Sequence, residues 1–147
     1  MTKERRAIST AVALTLSGKI YKKHFEGSVS SKPLIVALEH MRSQLPDRKI
    51  ILIWDRARIH RSKVIQAYLQ QHPEIVVEEL PAYAPQLNPE EYCHGNVKQH
   101  LKNACPKTKE DIRALLNLGF ARLRSRPDLI LSFFHAAGLS VRQLRLP

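Results

Sequence analysis

The 147-residue sequence is poor in acidic residues and in cysteine, and it contains no long hydrophobic run. Its two cysteines, Cys93 and Cys105, are too few for the disulfide framework that stabilises many small secreted proteins. No apolar segment approaches the roughly 18 residues of a membrane-spanning helix. The apolar stretch over residues 7–16 is interrupted by hydroxyl side chains, which makes it too weak for a signal peptide. We therefore expect a cytoplasmic chain without a membrane partner.

Basic residues outnumber acidic residues by 24 to 13, which gives a net charge of +11 and a pI near 10.1. The excess lies at both ends, since residues 1–24 carry a net charge of +5 and residues 98–147 carry +7, whereas residues 25–97 carry −1. Such a charge favours a polyanionic partner: nucleic acid first, an anionic membrane surface second. A basic surface without a specific partner is the alternative.

Hydrophobic patterning and helix-capping residues predict an α/β order of elements. The first part begins with two antiparallel strands within residues 6–25 and a helix capped by Ser30 or Ser31. A central strand over residues 49–55 that is buried on both faces, a helix capped by Ser62 and a strand over residues 74–80 follow. Three helices follow, over residues 89–103, from the capping box of Thr108 and Asp111, and from Pro127. We therefore expect the part from about residue 89 to 147 to be helical.

Acidic residues lie at two places where metal ligands are often found. Asp55 ends the predicted central strand, and sites in open α/β sheets lie beyond the carboxyl ends of strands. Glu90 and Glu91 open a predicted helix, and Mg²⁺ is commonly held by only one or two protein carboxylates. Asp55 and one of the glutamates could therefore share a cation. Alternatively, Asp55 caps a turn or pairs with Arg56 or Arg58, and the glutamates offset the helix dipole.

Two segments carry a resemblance to a known family. Residues 51–62 read Ile-Leu-Ile-Trp-Asp-Arg-Ala-Arg-Ile-His-Arg-Ser and resemble the second-aspartate segment of DDE transposases, in particular the mariner-like group of bacterial insertion sequences, which are DDE superfamily endonucleases. Residues 80–91 read Leu-Pro-Ala-Tyr-Ala-Pro-Gln-Leu-Asn-Pro-Glu-Glu and resemble the third-carboxylate segment, Leu-Pro-x-Tyr-x-Pro-x-Leu-Asn-Pro-x-Glu. Lys98 matches a lysine that usually follows that glutamate by seven residues. The resemblance extends from about Arg6 to the end of the sequence.

The resemblance implies a ribonuclease H-like mixed sheet flanked by helices, and Mg²⁺-dependent cleavage and strand transfer of DNA during transposition. Asp55 and Glu91 would be the catalytic residues and the metal ligands, with Mn²⁺ as a substitute ion. The Asn-Pro-x-Glu pattern selects Glu91, whereas the usual number of residues after the aspartate selects Glu90. His60 either supports this site or is a structural histidine that hydrogen-bonds its own loop.

Four basic residues are candidates for contacts to the phosphates of double-stranded DNA at transposon ends. They are Lys98, Lys102, Arg58 and Arg61. The alternative is that they form an ordinary solvated surface. The family implies a prokaryotic, nucleoid-associated protein.

The beginning of the sequence departs from the family pattern. No segment resembles the first-aspartate strand or the N-terminal helix-turn-helix region of full-length members. We therefore expect residues 1–147 to form a single, N-terminally truncated catalytic domain that lacks the first strand and is inactive alone. It would form a homodimer or assemble with an upstream half of a transposase. The alternative is a non-catalytic DNA-binding or interaction module derived from a transposase.

Overall fold

The computed structural model describes residues 8–27 and 29–139, which form an α/β protein with the predicted order of elements. The strands are β1 (Ile8–Leu14), β2 (Ile20–Glu26), β3 (Ile50–Trp54) and β4 (Ile75–Glu79). The helices are α1 (Ser31–Gln44), α2 (Lys63–Gln71), α3 (Pro89–Ala104), α4 (Lys109–Arg124) and α5 (Pro127–Ala136), and short 3₁₀ turns cover Arg58–Arg61 and Pro85–Leu87. Residues 6 and 7, where the predicted hairpin starts, lie outside the described residues.

The described residues divide into two compact units. One contains residues 8–27 and 89–139, and the other contains residues 29–88. This division does not test whether residues 1–147 form one catalytic domain, so the single domain stays a prediction.

The unit of residues 8–27 and 89–139 consists of an antiparallel hairpin and three helices. Strands β1 and β2 pair from Ile8 opposite Glu26 to Leu14 opposite Ile20. The hairpin turn contains Gly18 at φ +81°, and a Cβ atom there would lie 2.8 Å from the Cβ of Pro127 at the start of α5. Glycine is required at position 18 because φ is positive and because a side chain would collide with Pro127. The buried core of this unit is formed by Ile20, Cys93, Val97, Leu116, Phe120, Leu123, Ile130, Phe133 and Phe134.

The unit of residues 29–88 consists of a parallel strand pair and two helices. Strands β3 and β4 pair from Ile50 opposite Ile75 to Trp54 opposite Glu79. Polar contacts connect its elements: the Tyr68 hydroxyl in α2 donates to Glu39 in α1, and Arg42 Nε in α1 donates to Glu74 Oε1 at 3.0 Å. Its buried apolar side chains are Leu34, Leu38, Met41, Trp54, Ile65, Tyr68 and Ile75.

The prediction that residues 49–55 form a strand buried on both faces is wrong. Within the described part of the chain, β3 pairs only with β4, and alternate side chains of β3 are exposed, 70% for Ile51 and 58% for Ile53. Trp54, at the end of β3, is buried. A continuous apolar run predicts a strand, but it does not specify how many neighbouring strands and helices cover that strand.

Local sequence determines where the helices begin. The Thr108 hydroxyl accepts from the Asp111 backbone N–H at 3.0 Å and the Asp111 carboxylate accepts from the Thr108 N–H at 3.1 Å, which confirms the predicted capping box. Ser62 caps α2 through Ile65 N–H, whereas Ser30 occupies the N-cap position of α1 without a side-chain hydrogen bond. Over the residues that the structure describes, no helix has both the length and the apolar character needed to cross a membrane.

Candidate active site and DNA-binding residues

Asp55 follows β3 directly, and one of its two carboxylate oxygens is held by neighbours. Its Oδ1 accepts a hydrogen bond from the Ala57 backbone N–H at 3.0 Å and lies 3.0 Å from His60 Nδ1. The side chain is 53% exposed, and Oδ2 has no hydrogen-bond partner among the described residues. One oxygen therefore fixes the orientation of the carboxylate, while the other is open to a ligand.

His60 is oriented by contacts on two sides. Its ring stacks on Trp54 with a centroid separation of 4.1 Å and an interplanar angle of 1°. Its Nδ1 also lies 3.0 Å from the backbone carbonyl oxygen of Asp55, so two oxygens face this nitrogen and favour the tautomer that carries the proton on Nδ1. His60 thus holds the end of β3 and its carboxylate, as the interpretation as a structural histidine expects, and its support of a metal site stays a prediction.

The alternative that an arginine pairs with Asp55 is not what the structure shows. Arg56 Nε lies 3.6 Å from Glu79 Oε2, and Arg61 Nε lies 4.0 Å from Glu79 Oε1. Arg58 is exposed and forms no ion pair with a described residue. The turn-capping alternative is correct in part, because Asp55 accepts the Ala57 N–H.

The two glutamates in the first turn of α3 have different surroundings. Glu90 Oε1 lies 3.0 Å from His94 Nδ1, one helical turn later, and this hydrogen bond raises the pKa of His94 above its usual value. Glu91 is exposed and forms no hydrogen bond or ion pair with a described residue. The Glu90–His94 pair was not among the predicted contacts, although its i,i+4 spacing is a recognised signal for such pairs.

Lys98 and Lys102 are both exposed on α3. At about 100° per residue, they lie within about 40° of each other around the helix and on the same side as Glu91. Within the described part of the chain, neither lysine forms an ion pair. Their ammonium groups are therefore available to phosphate oxygens.

The structure places the predicted ligands in separate units. Asp55 lies in the unit of residues 29–88, and Glu91 lies in the unit of residues 8–27 and 89–139. Among residues 8–27 and 29–139, no group of three or more His, Cys, Asp or Glu side chains is arranged to hold a metal ion.

The sequence over residues 1–113 matches the family of DDE superfamily endonucleases. Because this match covers more than half of the chain, the protein belongs to that family. The predicted family is therefore confirmed. No curated protein matches the sequence.

Two solved structures of a mariner transposase are similar to this chain. The catalytic domain of Mos1 mariner transposase is 19% identical with a TM-score of 0.61, and the match covers 89% of this chain and 74% of that domain. The Mos1 transposase paired-end complex with left transposon end gives 17% identity and a TM-score of 0.48, covering 88% of this chain and 44% of that one. The likeness to the catalytic domain confirms the predicted α/β, ribonuclease H-like fold.

Proposed function

We propose that this protein is part of a transposase catalytic domain, and that its completed site cleaves and joins DNA with the help of Mg²⁺. The observation that carries this proposal is the Asp55 carboxylate, which is fixed through Oδ1 by Ala57 and His60 and open at Oδ2. An oriented carboxylate with a free oxygen at the end of a strand is the arrangement that a divalent-ion site requires. Membership of the DDE superfamily endonucleases gives this chemistry its context.

The donor atoms present fit a hard divalent cation. Asp55 and Glu91 supply carboxylate oxygens, the ligand type that Mg²⁺ and its substitute Mn²⁺ prefer. Glu91 is the better ligand because it is exposed, whereas Glu90 is hydrogen-bonded to His94. When bound, Mg²⁺ would activate the attacking water or hydroxyl group and stabilise the leaving oxygen. His60 positions Asp55, and Glu90 supports the site by holding His94.

Double-stranded DNA, including transposon ends, is the proposed substrate. Exposed Lys98 and Lys102 on α3, together with Arg58 and Arg61 beside Asp55, would bind the phosphate backbone. Arg61 is only loosely engaged by Glu79, at 4.0 Å, and can turn to a phosphate. The net charge of +11 provides the long-range attraction.

The family site needs three carboxylates, and two are identified in this sequence. We propose that another chain or segment supplies the first aspartate, through a homodimer or an assembly with an upstream transposase half, and that this chain alone is inactive. A second candidate is a non-catalytic DNA-binding module derived from a transposase. The exposed lysines and the basic charge favour it equally, because they support DNA binding with or without catalysis.

The first test measures metal binding separately from activity. We expect Mn²⁺ binding, followed by electron paramagnetic resonance, to weaken in Asp55→Asn and in Glu91→Gln, because each variant removes an anionic ligand. Glu110→Gln, at an exposed glutamate in the first turn of α4, is the matched control and should retain the ion. Equal Mn²⁺ binding by all four proteins would rule out the proposed metal site.

The second test measures DNA binding and nicking by the purified chain. We expect a labelled duplex to bind at low salt and to be released at high salt, without nicking in Mg²⁺. Nicking that is lost in both Asp55→Ala and Glu91→Ala would instead show that the chain is active alone. Failure to bind DNA at low salt would contradict both candidate functions.

A further inference from the structure

Gly95 lies in the interior of the 16-residue helix α3, where glycine is one of the least favourable residues. Its backbone is not in the left-handed region, which the glycines at positions 18, 27 and 138 do occupy. A Cβ atom built on Gly95 would meet no described atom within 4 Å. Neither backbone conformation nor packing within the described chain therefore explains the glycine.

The other helical glycine of the described residues provides a contrast. Gly119 in α4 is buried, and a Cβ atom there would lie 3.6 Å from Val97 Cγ1. A methyl group at position 119 would therefore make an ordinary van der Waals contact with α3. Gly95 has no such neighbour among the described residues, so its missing side chain leaves an open place on the surface of α3.

The position of Gly95 around the helix indicates what approaches. At about 100° per residue, Glu91, Lys98 and Lys102 lie within about 60° of Gly95. All four residues are exposed. The buried residues Cys93 and Val97 lie about 160° away, on the opposite side of the helix. Gly95 is therefore in the middle of an exposed strip that begins at the proposed metal ligand and ends at two lysines.

We infer that Gly95 leaves space for the phosphodiester backbone of DNA to lie directly against α3, between Glu91 and the two lysines. The inference rests on the proposed function. Glycine is used where a ligand must approach a backbone closely, since a side chain would hold the ligand away. Phosphates at this place would be attracted by Lys98 and Lys102 and, next to Glu91, by a cation shared with the carboxylate. The absence of a side chain at position 95 sets how closely the DNA strand approaches the carboxylate.

The test separates the stability of the helix from DNA binding. Gly95→Ala should raise the melting temperature by about 2–4 °C, because alanine favours the helix and meets no neighbour. The same change should weaken duplex binding, and Gly95→Leu should weaken it about tenfold at low salt. Gly95→Leu should also lower the slope of log K against log[salt] by about one for each phosphate that the protein no longer binds. Fluorescence anisotropy with a labelled duplex measures both the affinity and the slope.

Two variants serve as controls. Gly119→Ala adds a methyl group on the packed side of the helices, and Ala114→Leu adds bulk comparable to Gly95→Leu at an exposed position of α4. Neither should change the DNA affinity. Wild-type affinity in Gly95→Leu would overturn the inference while leaving the proposed function intact. A lower melting temperature in Gly95→Ala would also overturn it, because the glycine would then serve packing. Absence of DNA binding by the wild type would overturn the proposed function and this inference with it.

Discussion

The two cysteines have opposite surroundings, and this determines their reactivity. Cys93 is fully buried in α3, and burial, assisted by the nearby charge of Glu90, raises the pKa of its thiol to about 12. Cys105 is exposed. We expect one thiol per chain to react rapidly with a disulfide reagent at pH 8, because only a thiolate is nucleophilic. Cys105→Ser should remove this fast phase, and unfolding in guanidinium should make both thiols reactive. Two fast thiols in the folded protein would contradict the structure.

His24 on β2 gives the folded protein a dependence on pH. Its Nδ1 lies 2.8 Å from Thr10 Oγ1, and its Nε2 lies 3.2 Å from both Asn117 Oδ1 and Lys22 Nζ. Burial, followed by the positive charge of Lys22, lowers the pKa of His24. The unfolded chain therefore takes up this proton at a higher pH than the native state. The stabilisation is complete above the ordinary pKa of about 6.5 and is lost as the pH falls through the lowered value.

The measurement is urea unfolding between pH 7.5 and pH 5. Toward pH 5, His24→Gln should lose less stability than the wild type, because it cannot take up the proton. Lys22→Met should also reduce the loss, since it removes the like charge that disfavours the imidazolium. An unchanged acid dependence in His24→Gln would show that other groups control it.

At this scale the sequence predicts residue types better than contacts. Asp55 is a candidate ligand because it follows an apolar strand, and this position is recognised in the sequence without knowledge of the tertiary structure. The stacking of His60 on Trp54 depends on how the turn Arg58–Arg61 folds back, and no spacing rule specifies this fold. The pairing of Glu90 with His94 follows from helical spacing alone.

At the scale of one element, the N-cap of α4 shows how much a single capping side chain contributes to the free energy of unfolding. Thr108→Ala removes the hydroxyl that accepts the Asp111 N–H, so we expect a loss of about 1 kcal/mol in the free energy of unfolding. Ser30→Ala is the matched control, because Ser30 occupies the N-cap of α1 without a side-chain hydrogen bond. Chemical denaturation measures both variants. Equal losses would show that the hydroxyl of Thr108 is not what stabilises the helix start.

The helices were predictable because their ends carry local signals. Pro89 and Pro127 each begin a helix, and the Thr108–Asp111 box acts within four residues. The environment of β3 was not predictable, because the covering of a strand depends on distant segments. The same apolar run is compatible with a central strand and with the single neighbour found here.

The whole described chain contains two separate two-stranded sheets, one antiparallel and one parallel. Parallel strands are normally covered on both faces. Here Ile51, Ile53 and Val76 are exposed on the same face of the β3–β4 pair, since Ile51 lies opposite Val76. The match to 74% of the Mos1 catalytic domain leaves a quarter of that domain without a counterpart in this chain.

At the scale of the whole molecule, we expect the chain to self-associate through the exposed apolar face formed by Ile51, Ile53 and Val76. Contiguous exposed apolar residues on a short sheet favour contacts between molecules. The double variant Ile51→Thr with Ile53→Thr keeps the β-branched shape that suits a strand and removes apolar surface. We expect it to lower the weight-average mass in sedimentation at high concentration, with little change in melting temperature because both side chains are largely exposed.

The matched control, Ile51→Val with Ile53→Val, should associate as the wild type does. If the threonine variant associates equally, contacts between molecules do not involve this face. A large loss of stability in that variant would instead show that these isoleucines are covered within the folded chain.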